Sequence, residues 1–270
     1  MERIKHAIEK ARSQDAADTH TQTDRGHPSM PARGDSLDVE YSQTRVMALN
    51  HAHLERNRIV SFNKNDPMSW VFDVLRTQVL QQMESNGWRT VAITSPTPGS
   101  GKTVVAINLA MSIAHQTQKT AILVDFDLRK PRLGEYLGIS MDRSLNDVLQ
   151  GDVPLAEALV NPGLARLVLL PTGKPVPKPS EMLSSRKVSS LIQDLRERYA
   201  DRIVIFDLPP ILGADDAIAI LPQIDCVLLV VANGMTTQSE LENSIRHLAG
   251  ANLLGVALNK AERAQGQDYY

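Results

Sequence analysis

Nine consecutive residues constrain this chain more than any others: Ser95-Pro96-Thr97-Pro98-Gly99-Ser100-Gly101-Lys102-Thr103. They follow the apolar run Thr90-Val91-Ala92-Ile93-Thr94 and precede Val104-Val105-Ala106-Ile107-Asn108-Leu109-Ala110, so the pattern predicts a strand, a tight loop and a helix in succession. Gly99 and Gly101 allow backbone angles that turn successive N–H groups inward toward an anion, and the helix behind them adds the positive end of its dipole. Lys102 then reaches nucleotide phosphates, and the Thr103 hydroxyl faces a magnesium ion bound to them. The expected phosphate cradle is Pro98, Gly99, Ser100, Gly101, Lys102, Thr103 and Val104. The usual motif opens with glycine where this chain has Pro96, but its Gly-x-Gly-Lys-Thr half is complete.

With 270 residues, 42% hydrophobic and 22% charged, the chain is long enough for one α/β domain of about 200 residues plus an extension. A formal charge of −2 supplies no broad basic field, which argues against nucleic acid as a partner. The single cysteine, Cys226, sits within the strand-like run Asp225–Val231 and reads as a buried core thiol, so a disulfide scaffold is excluded. No apolar stretch approaches the roughly 18 residues that span a bilayer, and residues 1–12 are too polar for a signal peptide. The expectation is a cytoplasmic chain that reaches the inner face of a membrane only through a partner.

Four regions follow from composition. Residues 1–43 are expected to be an amphipathic helix, with Ile4, Ala7, Ile8 and Ala11 on one face, followed by a disordered polar linker. Apolar residues return between Thr44 and Phe62, so 44–66 is expected to be an arm lying on the folded domain. His51 and His53 within it read as surface histidines, lacking a ligand constellation. Residues 67–260 form the P-loop domain, and 261–270 a flexible tail. Within the domain, helices are expected at Ser69–Met83, Lys102–His115, Leu145–Gln150, Ser180–Tyr199, Asp215–Leu221 and Gln238–Leu248. The first of these is expected against a sheet edge or a neighbouring subunit. Strands are expected at Thr90–Thr94, Thr120–Asp125, Leu167–Leu170, Arg202–Asp207, Cys226–Val231 and Leu253–Asn259. Continuous Val/Ile/Leu runs imply strands covered on both faces, hence a parallel sheet with helices on either side and ligands beyond the strands' carboxyl ends.

Two of these strands end in acid. Ala121–Val124 runs into Asp125-Phe126-Asp127-Leu128-Arg129-Lys130-Pro131, and Ile203–Phe206 runs into Asp207-Leu208-Pro209-Pro210. One carboxylate of the first pair is suited to orient a metal shell and the other to accept a proton, while Asp207 has the form of a magnesium-holding Walker B residue. A lone aspartate at a strand end is often a turn or cap residue. Two such ends after a phosphate loop favour a shared site.

Together these three segments resemble the Walker A, A′ and B motifs of the bacterial tyrosine kinases, P-loop autokinases that regulate capsule and exopolysaccharide synthesis. Leu170–Pro175 and Lys178–Leu183 are similar to the family's segment between A′ and B, and the N-terminal arrangement resembles the branch found with exopolysaccharide and exosortase loci, which lacks a fused membrane domain. The resemblance implies ATP and Mg2+ as cofactors, with Lys102 on the phosphates, Thr103 and Asp207 holding the metal, Asp125 tuning its shell, Asp127 as the base, and Arg129 orienting the A′ turn or the acceptor. Asn259 resembles an adenine-contacting asparagine of related ATPases. Tyr269 and Tyr270 take the place of the family's C-terminal phosphoacceptors, modified in trans, which implies a homo-oligomer; a polysaccharide co-polymerase-type membrane protein is the implied activator. The family's Glu-x-x-Arg-x-x-Arg ring motif aligns here with Trp70, Asp73 and Arg76, and only the last matches. Two alternatives stand beside the kinase: a nucleotide switch related to partitioning and septum-site ATPases, whose early signature lysine is here Thr97, and a catalytically weak scaffold of polysaccharide assembly.

Overall fold

A computed structural model describes residues 44–116 and 119–261. The expected helix and linker of the first 43 residues, and the tail bearing Tyr269 and Tyr270, lie outside the described residues.

The apolar runs become strands because each is covered on both faces. Strands β2 (Thr90–Thr94), β3 (Thr120–Asp125) and β6 (Arg202–Asp207) are buried at every position, as is β7 (Cys226–Ala232). Cys226 is fully buried within β7. With β1 (Arg45–Val46), β4 (Val160–Asn161), β5 (Leu167–Leu170) and β8 (Leu253–Asn259) they form an eight-stranded sheet, ordered β1-β4-β5-β3-β6-β2-β7-β8. Alternate residues feed two cores: Val91 and Ile93 point to one side of β2, and Ala92 to the other. Helices flank both faces, as expected.

The sheet departs from wholly parallel pairing at one place. β4 runs antiparallel to β5, because the five residues between Asn161 and Leu167 cannot make the crossover that a parallel neighbour requires. The remaining pairs are parallel.

On one face lie α1 (His51–Arg56), α2 (Ser69–Ser85), α3 (Lys102–Gln116) and α4 (Leu133–Leu137), with Leu54, Val79, Met83 and Leu137 in that core. The other face carries α5 (Leu145–Gln150), α6 (Leu155–Ala158), α7 (Pro179–Leu183), α8 (Arg186–Glu197), α9 (Asp216–Ile220) and α10 (Gln238–His247). Ser180–Tyr199, expected as one helix, is split in two: the Ser185 hydroxyl accepts the Val188 N–H and begins α8 afresh. Pro222 likewise ends α9 in a 3₁₀ turn at Leu221–Gln223.

Helix α2 does not sit on a sheet edge. α2 packs on α3, where Arg76 pairs with Asp73 at 2.7 Å and donates to the Ser112 hydroxyl at 3.0 Å. Its Trp70, Val71 and Val74 remain exposed. The segment ahead of α2 is fastened to the same helix. Leu54 and Ile59 are fully buried, each burial contributing about 1.5–3 kcal/mol. Asn108 of α3 accepts the N–H groups of Val60 and Ser61 and donates to the Arg58 carbonyl. That clasp fits a backbone turned by Arg58, whose φ of 59° is left-handed.

Candidate active site

Strand order decides which carboxyl ends become neighbours. β6 lies between β3 and β2, and the parallel register sets Asp125 directly opposite Asp207. The loops after β2, β3 and β6 therefore open side by side, although they are far apart in the chain.

The loop after β2 has the conformation its glycines permit. Gly99 and Gly101 have φ of 86° and 88°, angles strained for any residue with a Cβ. A Cβ at Gly101 would also fall 2.3 Å from Asn259 Nδ2. That amide donates to the Ser100 carbonyl at 2.8 Å, so Asn259, at the end of β8, is placed against the loop backbone. Ser95 and Ser100 hydroxyls both donate to the Thr97 carbonyl, closing the turn.

Lys102 begins α3 and folds back into the acidic end of the sheet. Its Nζ lies 2.9 Å from Asp127 Oδ2 and 3.3 Å from Asp207 Oδ1, and the Thr103 hydroxyl donates to Asp207 Oδ2 at 2.6 Å. Burial works against the ammonium, but Asp207 and Asp127 overcome it and hold the group above the ordinary lysine value. Burial also raises Asp207 above the usual carboxylate range, opposed by Lys102 and the Thr103 hydroxyl. Lys102, Thr103, Asp127 and Asp207 thus share one cluster.

Asp125 occupies a different position within it. One carboxylate oxygen accepts the Asp127 N–H, the other the N–H groups of Arg132 and Leu133, and its carbonyl accepts the Thr172 hydroxyl at 2.6 Å. These bonds shape the loop that carries Asp127. Arg129 turns its guanidinium onto Asp216, donating from Nε to Oδ2 and from Nη2 to Oδ1 at 3.0 Å.

Several participants lay outside the sequence reading. Asp216 acts through a partner 87 residues away, so no local pattern marks it; Thr172 lies in the Leu170–Pro175 segment, but its bond to the Asp125 carbonyl, 47 residues away, has no local signal. Met235 sits above the loop, its methyl 3.5 Å from where a Gly99 Cβ would lie. Asn108 carried a signal: a polar residue inside an otherwise apolar helical run, fully buried in the structure.

An AAA domain family matches residues 88–250. The tyrosine-protein kinase YwqD of Bacillus subtilis is 30% identical over 220 residues, covering 81% of this chain and 92% of YwqD. The chain belongs to the bacterial tyrosine-protein kinase family. Within the kinase family, the tyrosine-protein kinase Wzc of Salmonella typhimurium is 35% identical over 199 residues, covering 72% of this chain and 27% of Wzc. The chain thus spans about a quarter of the length of that relative. Among solved structures, the kinase domain of the Escherichia coli tyrosine kinase ETK superposes with a TM-score of 0.70 at 27% identity, covering 84% of this chain and 93% of that one. Kinase-family membership fits the sheet order and the phosphate loop described above.

Proposed function

We propose that the protein is an ATP-dependent tyrosine autokinase of exopolysaccharide synthesis, transferring the γ-phosphate to Tyr269 and Tyr270 of a sister chain. The observation that carries this reading is the junction of Lys102, Thr103, Asp127 and Asp207 in one buried cluster at the carboxyl ends of three adjacent strands.

The donor set suits a magnesium nucleotide. Two positive-φ glycines form a backbone cradle that a Cβ would close, and two carboxylates, Asp127 and Asp207, face the Lys102 ammonium in a buried setting that favours an added cation. Thr103 and Asp207 would hold magnesium, with Asp125 shaping its surroundings and Asn259 on the base side of the cradle. Magnesium, when bound, neutralises phosphate charge and orients the transferring group.

The chain's own residues supply the rest. Lys102, drawn onto the phosphates, releases Asp127, whose carboxylate takes the proton of the tyrosine hydroxyl. The phenol oxygen bonds to the γ-phosphorus as the bond to the bridging oxygen breaks, and ADP leaves with that oxygen. A phenol is a weak nucleophile at neutral pH, so a placed carboxylate contributes about 10²–10⁴-fold. No helix among the described residues is long and apolar enough to cross a membrane. We place the protein in the cytoplasm, recruited and activated by a polysaccharide co-polymerase-type membrane protein.

Mass spectrometry of the C-terminal peptide, after incubating the full chain with ATP, magnesium and an activating membrane segment, tests this. Phosphate on Tyr269 or Tyr270, absent in Lys102→Ala, is expected. ATP hydrolysis with both tyrosines unmodified would indicate a nucleotide switch instead.

A further inference from the structure

The Asp216 side chain is 1% exposed, yet it carries a carboxylate 87 residues from its partner in the chain. Arg129 meets it with two N–H donors, one to each oxygen. This is the paired geometry in which a guanidinium fixes direction as well as charge. The more distant Asp215, 3.9 Å from Arg129 and largely exposed, adds little.

What each partner is fastened to gives the pair its meaning. Asp216 follows the segment after β6, and that segment is bonded along the phosphate loop. Leu208 N–H donates to Ile93, Ile211 N–H to Ser95 and Leu212 N–H to Pro96, while the Thr94 hydroxyl donates to Pro209. Arg129 lies two residues beyond Asp127, in a turn where the Lys130 N–H returns to Asp127. The chain of contacts is therefore closed: phosphate loop, β6 exit, Asp216, Arg129, Asp127.

We infer that Arg129 and Asp216 form a positioning clamp that fixes the loop carrying Asp127 relative to the phosphate loop, with Arg129 touching neither nucleotide nor acceptor. The inference rests on the kinase reading for its effect on transfer, but the clamp itself has a separate readout. Arg129 and Arg132 are tryptic sites on the loop, while Lys130 is shielded by Pro131.

In the full chain, Asp216→Ala is expected to speed tryptic cleavage after Arg129 or Arg132 about tenfold. It should lower phosphotransfer about 10–100-fold while Mg-ADP affinity stays within about threefold, because a small displacement of the base costs turnover rather than binding. Arg129→Ala should match it in transfer. The double variant should be no worse than either single one, and Arg129→Lys should not restore the rate. Asp216→Asn, which keeps the shape, serves if the alanine variant does not fold. Wild-type cleavage and transfer in Asp216→Asn, with Arg129→Ala silent, would overturn the clamp and place Arg129 directly on substrate. If the wild type transfers no phosphate but Asp216→Ala still exposes the loop, the clamp stands and the kinase reading fails.

Discussion

Asp125 shows how one buried carboxylate serves both shape and electrostatics. It is fully buried opposite Asp207, and burial, reinforced by that neighbour's charge, pushes it up to about 8. In the unfolded chain such a group titrates near 4. The folded state therefore holds its proton across about pH 4 to 8, and the stability this gives is present at low pH and fades as pH rises through the folded value. The nucleotide-free protein should show a urea midpoint that falls between pH 5 and 8, with the fall reduced in Asp125→Asn and on adding Mg-ADP. A midpoint rising steadily over that interval in the wild type, and unaltered by Asp125→Asn, would contradict this.

At the scale of elements, the arm and the phosphate-loop helix behave as one unit. Asn108 joins them with two accepted N–H groups and one donated hydrogen, and Leu54 and Ile59 seal the contact. Asn108→Ala leaves those backbone groups without partners in a buried seam. The expected loss is about 2–3 kcal/mol, read by urea denaturation, with faster proteolysis between residues 44 and 62. An unchanged midpoint would show that the arm is held by apolar contact alone. The same scale separates what was legible in the sequence from what was not. The long strands were legible because Val/Ile runs such as Ile122–Val124 and Ile203–Phe206 reflect burial on both faces. β1 and β4 have two residues each, too few for any period, and form because Val160 pairs with Arg45 on one side and Leu169 on the other, contacts across the fold. The break at Ser184-Ser185 was hidden because Ser185 caps through its hydroxyl, an interaction that apolar spacing does not register.

For the whole molecule, topology turns sequence distance into proximity. The phosphate loop and the two acidic strand ends were legible as separate motifs, since glycine, lysine and aspartate at strand ends carry their chemistry locally. Their separation of 2.9 to 3.3 Å around Lys102 follows from the order β3-β6-β2, which no motif encodes. The Arg129–Asp216 pair is another product of that order. The measurement closest to the central claim is single-turnover transfer to the C-terminal tyrosines, made beside Mg-ADP affinity for wild type, Asp127→Asn and Lys102→Ala. Asp127→Asn is expected to bind Mg-ADP within a few-fold of wild type while losing about 10²–10³ in transfer, and Lys102→Ala to lose both. Wild-type transfer by Asp127→Asn would contradict a site in which that carboxylate takes the phenol proton.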